Sequence, residues 1–310
     1  MTSATDPLAA LSTLPGVEEA VSSVRRSVDR VYGHRVMRRR STEVSAEAAL
    51  RGARASAALS GADWALEEVR RRSDFSAPGE PRTVGGALRA NAEAGQLLST
   101  WRQSPMRVLA RLHVVASGGT GASSGGSADS GGSADSGGPA DSGGSAGGAG
   151  TDAAAGAGEA VGRPRLAGES VAEPDVALPS PPPDADETAA RLDALAALVV
   201  AGSSAPALVT AAVVHGELLT LRPFRTGNGL VARAAERIVL AGSGLDPKAV
   251  CPAEVGHAEQ GRAAYEAALA GYAGGTPAGV GEWIAHCGRA VELGARESTA
   301  VCEALQRGAA

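Results

Sequence analysis

The chain is short of the residue types that most often announce a chemistry. Only 3% of its 310 residues are aromatic, and Lys248 is the single lysine among 29 basic residues. Cys251, Cys287 and Cys302 are its three cysteines. The number is odd and no two form a Cys-x-x-Cys, so neither a disulfide framework nor a zinc site is expected. No eighteen apolar residues run together, which argues against a membrane span. The opening "MTSATDPLAALSTLPG" lacks a charged region followed by an apolar run, so no signal peptide is expected and a cytoplasmic protein is. What is abundant is alanine and glycine, and with 44% hydrophobic residues a buried core is affordable.

Charge is unevenly spread. Residues 1–115 carry 17 basic and 12 acidic side chains, and the rest carry 12 and 22. The densest basic run is "RVYGHRVMRRR", residues 30–40. No nucleic-acid-reading motif accompanies it, so a solvated, partner-facing helix end is expected rather than a nucleic-acid site.

Residues 117–158 are low in complexity: "GGSADS" occurs twice, followed by "GGPADS" and "GGSAGG". Such a run has no apolar face to repay its ordering entropy and reads as a disordered insert, bounded here at 117–160. On either side, apolar spacings of three and four point to helices. They cover "STEVSAEAALRGARASAAL", "GGALRANAEAGQLLSTW", "SPMRVLARLHVVA", "ADETAARLDALAALVVAG", "APALVTAAVVHGELLTL" and residues 281–305. Ser41 and Thr42 before Glu43 read as a capped helix start. The proline-rich stretch 162–186 excludes helix and reads as a small hairpin followed by an extended connector. An all-α fold follows, with one small β-hairpin flap and one insert. Its expected parts are a basic helical extension at 1–40, helices at 41–116 and a core at 161–306.

"LRPFRTGNGLVAR", residues 221–233, has no histidine, carboxylate or thiol. Pro223 must stop the preceding helix, and Gly227 and Gly229 allow backbone angles that other residues resist. Asn228 reads as the N-cap of the next helix. Free N–H groups and the helix dipole would favour an anion there. Arg233, a turn further on, leans back toward the same spot, with Arg225 and Arg222 nearby. The plainer alternative is an ordinary helix–turn–helix with a solvated arginine.

The longer context resembles the signature of the Fic (Fido) family, His-Pro-Phe-x-Asp/Glu-Gly-Asn-Gly-Arg/Lys-x-x-Arg. Pro223, Phe224, Gly227, Asn228, Gly229 and Arg233 match it in identity and spacing. His215 matches a histidine often found in the preceding helix. "GRPR" at 162–165 is similar to the family's flap entry, and "HAEQGRAAYEAALAGYAGG" adds to the likeness. "SAALSG" at 56–61 is similar to its inhibitory helix motif. The resemblance spans residues 40–300 apart from the insert. It implies a helical domain that transfers AMP from ATP to a hydroxyl of a target protein. The motif histidine would be the base, the acidic residue would hold magnesium, and the glycine loop with its arginines would hold the phosphates.

The departures fall on the chemical positions. Arg222 stands at the histidine position, and at pH 7 an arginine is neutral about one time in several hundred thousand. Losing a general base typically costs about 100- to 10,000-fold. Thr226 stands at the acidic position and brings no charge to hold Mg2+. Leu230 replaces a phosphate-binding basic residue. His215 lies about 10 Å of helical rise before Arg222, too far to substitute directly, and reads as a packed core residue. Ser60 stands where the inhibitory glutamate would pair with Arg233, with Glu67 and Glu68 in reach only at the wrong spacing.

The expectation is therefore a Fic-domain protein without standard AMP-transferase activity, binding a nucleotide such as ATP or another phosphate through Gly227, Asn228, Gly229, Arg225 and Arg233. No catalytic residue is retained, no metal ligand is expected, and the partner would be a target or regulatory protein. The alternatives are a divergent adenylyltransferase using a base other than histidine, and an interaction scaffold that binds no nucleotide.

Overall fold

In a computed structural model the described residues are 6–118, 161–172 and 176–308. The insert expected at 117–160 lies outside them apart from its first two residues. Among the described residues the fold is all-α, with thirteen helices and no strand. They are α1 Pro7–Leu11, α2 Val17–Gly33, α3 Met37–Leu59, α4 Leu66–Arg71, α5 Glu80–Ala94, α6 Leu98–Trp101 and α7 Pro105–Ala116. Then come α8 Ala185–Ala201, α9 Ala207–Leu221, α10 Asn228–Gly242, α11 Ala253–Gln260, α12 Arg262–Ala273 and α13 Pro277–Arg307.

The α9–α10 hairpin is the axis. In α10 every residue from Asn228 to Ala241 is buried, charged ones included. A helix buried on all faces must be wrapped by others. Here α3, α5 and α7 cover one side, and α12 and α13 cover α9 on the other. The long α13 runs back along α2 and α11. Its approach to α11 depends on Gly256, where a Cβ would stand 2.0 Å from the Ala290 carbonyl oxygen.

Local sequence sets the helix ends. Asp184 caps α8 by accepting from Glu187 N–H at 2.8 Å, and Thr276 caps α13 with Pro277 at its first position. The helix expected to start near Ser41 starts earlier, at Met37, and kinks at Arg40 (φ −124°, ψ 26°). There Arg40 turns its guanidinium to Glu43 and to the Leu305 carbonyl. That carbonyl lies in the last turn of α13, where a cation is favourable. Arg35 likewise donates to Gln306, so part of the basic run ties down a helix end. "GGALRANAEAGQLLSTW" divides into α5 and α6 around residues 95–97.

Candidate functional site

The site lies where α9 ends. Pro223 forbids another helical turn, and Arg222 takes the cap in the left-handed region, at φ 45° and ψ 62°. A residue with a Cβ is strained there by about 1–2 kcal/mol, so its surroundings must hold it. Arg165 Nε donates to the Arg222 carbonyl at 3.0 Å, and Arg222 Nη2 donates to the Ser180 carbonyl at 2.9 Å. Arg222 is 8% exposed. Burial, then the Arg165 charge, pushes its pKa down. Even so, the bond to Ser180 uses its N–H as a donor, and the guanidinium is turned to the connector.

Past Phe224 the chain closes on itself. Asn228 Oδ1 accepts from Phe224 N–H, and Asn228 Nδ2 donates to the Phe224 carbonyl, both at 2.8 Å. The N-cap expected at Asn228 is therefore Gly227, at φ 69°, and Asn228 is the first residue of α10. The carboxamide spends both of its ends across the loop and does not cap the helix. This clamp sets the first turn of α10 against the loop.

In place of the expected hairpin, residues 161–172 cross the loop without forming a strand. Two main-chain bonds attach them: Arg165 N–H to the Pro223 carbonyl at 2.7 Å, and Ala172 N–H to that of Arg225 at 2.8 Å. Pro164 has no N–H to give, and Gly162 and Gly168 turn at φ 85° and 84°, so a ladder cannot propagate. Arg165 fixes this flap. It is buried and also donates to Thr188 Oγ1 at 2.9 Å and to the Pro183 carbonyl. His113, from α7, stacks on Phe224 at 4.0 Å between ring centres and accepts from Gly162 N–H through Nδ1 at 3.0 Å. Burial pushes its pKa down to about 4. A neutral imidazole that accepts at Nδ1 carries its proton on Nε2, so His113 braces loop and flap and offers no free base.

The three arginines do not converge. Arg233 is 1% exposed and faces α3: Nε donates to Ser56 Oγ at 2.8 Å, and Nη2 to the Ser56 carbonyl at 2.9 Å and Ser60 Oγ at 2.7 Å. Ser60, aligned by sequence with the inhibitory motif, thus meets Arg233 with a hydroxyl and no charge. Glu67 instead pairs with Arg70, and Glu68 is exposed. Leu230 packs inward, with Cδ1 3.3 Å from where a Cβ on Gly86 would stand. Gly229 is buried in the first turn of α10. Arg225, Thr226 and Gly227 are the partly exposed residues of the loop, and of the three arginines Arg225 alone is open to solvent.

A hydrated magnesium ion asks for carboxylate oxygens. The loop has none, and the nearby Glu169 is bound by Arg163 and by Leu166 N–H. These contacts hold its pKa down at about 2. The residues do not fit a magnesium site. A cavity of about 650 Å3, bordered by Leu8, Arg25, Trp101 and Leu208, lies at the opposite end of the α9–α10 pair, about 20 Å away by helical rise.

Two determinants, Arg165 and His113, were not singled out by sequence. "GRPR" marked the flap entry without its anchoring role, and nothing local to His113 signals its stacking.

Residues 154–240 match the Fic/DOC family model. No curated protein matches the chain. Among solved structures, a Fic family protein from Desulfovibrio desulfuricans G20 is similar over 93% of this chain and 75% of its own, at 18% identity and a TM-score of 0.65. Fic-1 from C. elegans is similar over 92% and 72%, at 15% identity and a TM-score of 0.60. At such identities the likeness is one of fold.

Proposed function

Because the chain carries a Fic/DOC-family domain, we propose that it is a binding or regulatory protein of that fold which has given up AMP transfer. The observation that carries this reading is the Arg222 guanidinium anchored on the Ser180 carbonyl. The residue at the place of the base is a strut, held as a donor. Thr226 and Leu230 add no metal ligand and no cation.

The ligand in this reading is ATP or another phosphate compound, taken without magnesium at the first turn of α10. Support comes from the Asn228 clamp, the left-handed Gly227 and the partly exposed Arg225. Arg233 acts from behind as a brace. The partner is a protein that responds to the bound state, in the cytoplasm, where nucleotides are abundant.

The test is incubation of the purified chain with labelled ATP, Mg2+ and cell extract, beside an Arg222→His, Thr226→Asp double variant. The wild type should label nothing. Transfer of label by the wild type would overturn the reading in favour of a divergent transferase.

A further inference from the structure

Four side chains that the loop does not use meet in the middle of the bundle, one from each of four helices. They are His215 of α9, Glu236 of α10, His257 of α11 and Cys287 of α13, none more than 1% exposed. One potential ligand atom from each lies within 4.8 Å of all the others. His215 Nδ1 stands 2.9 Å from Glu236 Oε2, and His257 Nε2 stands 3.1 Å from the same oxygen. The first pair is close without the alignment of a hydrogen bond, and Nδ1 has no other bonding partner. Two imidazole nitrogens, a carboxylate and a thiol that converge on one point make the donor set of a divalent cation.

We propose that these residues form a structural zinc site, in which His215 Nδ1, a Glu236 oxygen, His257 Nε2 and Cys287 Sγ close a tetrahedron around one divalent ion.

The dimensions fit. Tetrahedral zinc holds nitrogen and oxygen ligands about 3.3 Å apart, and sulfur about 3.6 Å from them. The short pairs are already near that spacing, and a separation at the 4.8 Å limit has to contract by roughly 1.2–1.5 Å. The charges fit as well, since a carboxylate and a thiolate together match a divalent cation. On binding, the Cys287 S–H bond gives way to a sulfur–zinc bond and its proton leaves to solvent. Each imidazole keeps one proton, on its far nitrogen.

Those far nitrogens have partners waiting. His215 Nε2 is 2.7 Å from Tyr265 Oη, and His257 Nδ1 is 3.3 Å from His286 Nε2. Outer contacts of this kind fix the tautomer and orientation of ligating histidines. Trp283, whose Nε1 donates to the Ala212 carbonyl at 2.7 Å, stacks beside His257 and shields the site. Gly216 leaves it room, because a Cβ there would stand 2.7 Å from Trp283 Nε1. With four protein ligands and no open position, the ion would staple helices together and do no chemistry. Ligands drawn from four helices leave no short spacing for a sequence to reveal.

The site is sealed, so it should load as the chain folds. The full chain is unfolded in urea, refolded with Co2+ as a spectroscopic substitute for zinc, and dialysed against a weak chelator. One ion per chain should remain, with the strong visible bands of tetrahedral cobalt and a near-ultraviolet thiolate-to-cobalt band. That band should vanish in Cys287→Ser and persist in Cys251→Ser and Cys302→Ser. Tyr265→Phe should weaken retention roughly 10- to 100-fold. A refolded wild type with a native helical spectrum and no retained cobalt or zinc would overturn the proposal, leaving a hydrogen-bonded core. So would a thiolate band that survives Cys287→Ser. If Cys287→Ser does not fold, the wild-type stoichiometry decides alone.

Discussion

The guanidinium of Arg233 donates to the hydroxyl of Ser60 at 2.7 Å, across 173 residues of sequence. With two further bonds to Ser56 it fastens α10 to the end of α3. Arg233 is therefore a brace, and its loss would be read first as lost stability. Ser60→Ala should cost about 1–2 kcal/mol in urea unfolding, since it removes one hydrogen bond to a charged group. Arg233→Ala should cost about 3 kcal/mol or more, because several buried polar partners lose their donor at once. Equal stability of Arg233→Ala and the wild type would contradict this role.

Asn228 is the clamp of the loop. Asn228→Ala leaves the Phe224 N–H and carbonyl without their partner and should destabilise by about 2–3 kcal/mol. Asn228→Asp keeps the acceptor and loses the donor, so it should fall between. Thermal unfolding of the three proteins checks the order.

Arg222 ties the proline-rich connector to the loop through Ser180. Arg222→Asn tolerates the left-handed backbone but does not reach the connector. Its overall stability should change little, while limited proteolysis within residues 177–183 should speed up several-fold. Unchanged cleavage would remove the strut from the account.

His113 makes the fold sensitive to acid. Its folded pKa of about 4 lies below the ordinary 6.5, because burial disfavours the imidazolium. The stability it contributes is complete above pH 6.5 and is lost as pH falls through 4. The total is about 3 kcal/mol by linkage. His286 is pushed the same way, to about 3, again by burial first. His113→Phe, which keeps the stacking, should reduce the slope of stability against pH by about one proton in that window. An unchanged slope would mean that His113 is not held neutral.

Much of this was legible in the sequence. The three-and-four spacing located the long helices, and Pro223 located the end of α9 within a residue or two. The glycines and Asn228 marked the loop. What stayed hidden depends on distant partners. Nothing next to Asn228 says that its carboxamide is taken by Phe224, and nothing next to Arg222 or Arg233 reveals that Ser180 and Ser56 draw their guanidinium groups away from the loop. The flap read as a hairpin because its prolines and glycines fit a turn, yet those residues also deny it the N–H groups and the extended angles of a ladder.

The most direct test of the account is calorimetric titration of the full chain with ATP, with and without Mg2+. The control is Arg225→Ala, because Arg225 is the loop arginine open to solvent. Binding should not need Mg2+, should be lost in Arg225→Ala, and should leave the ATP intact. No heat under either condition, or binding that requires Mg2+ and yields an AMP-modified protein, would contradict it.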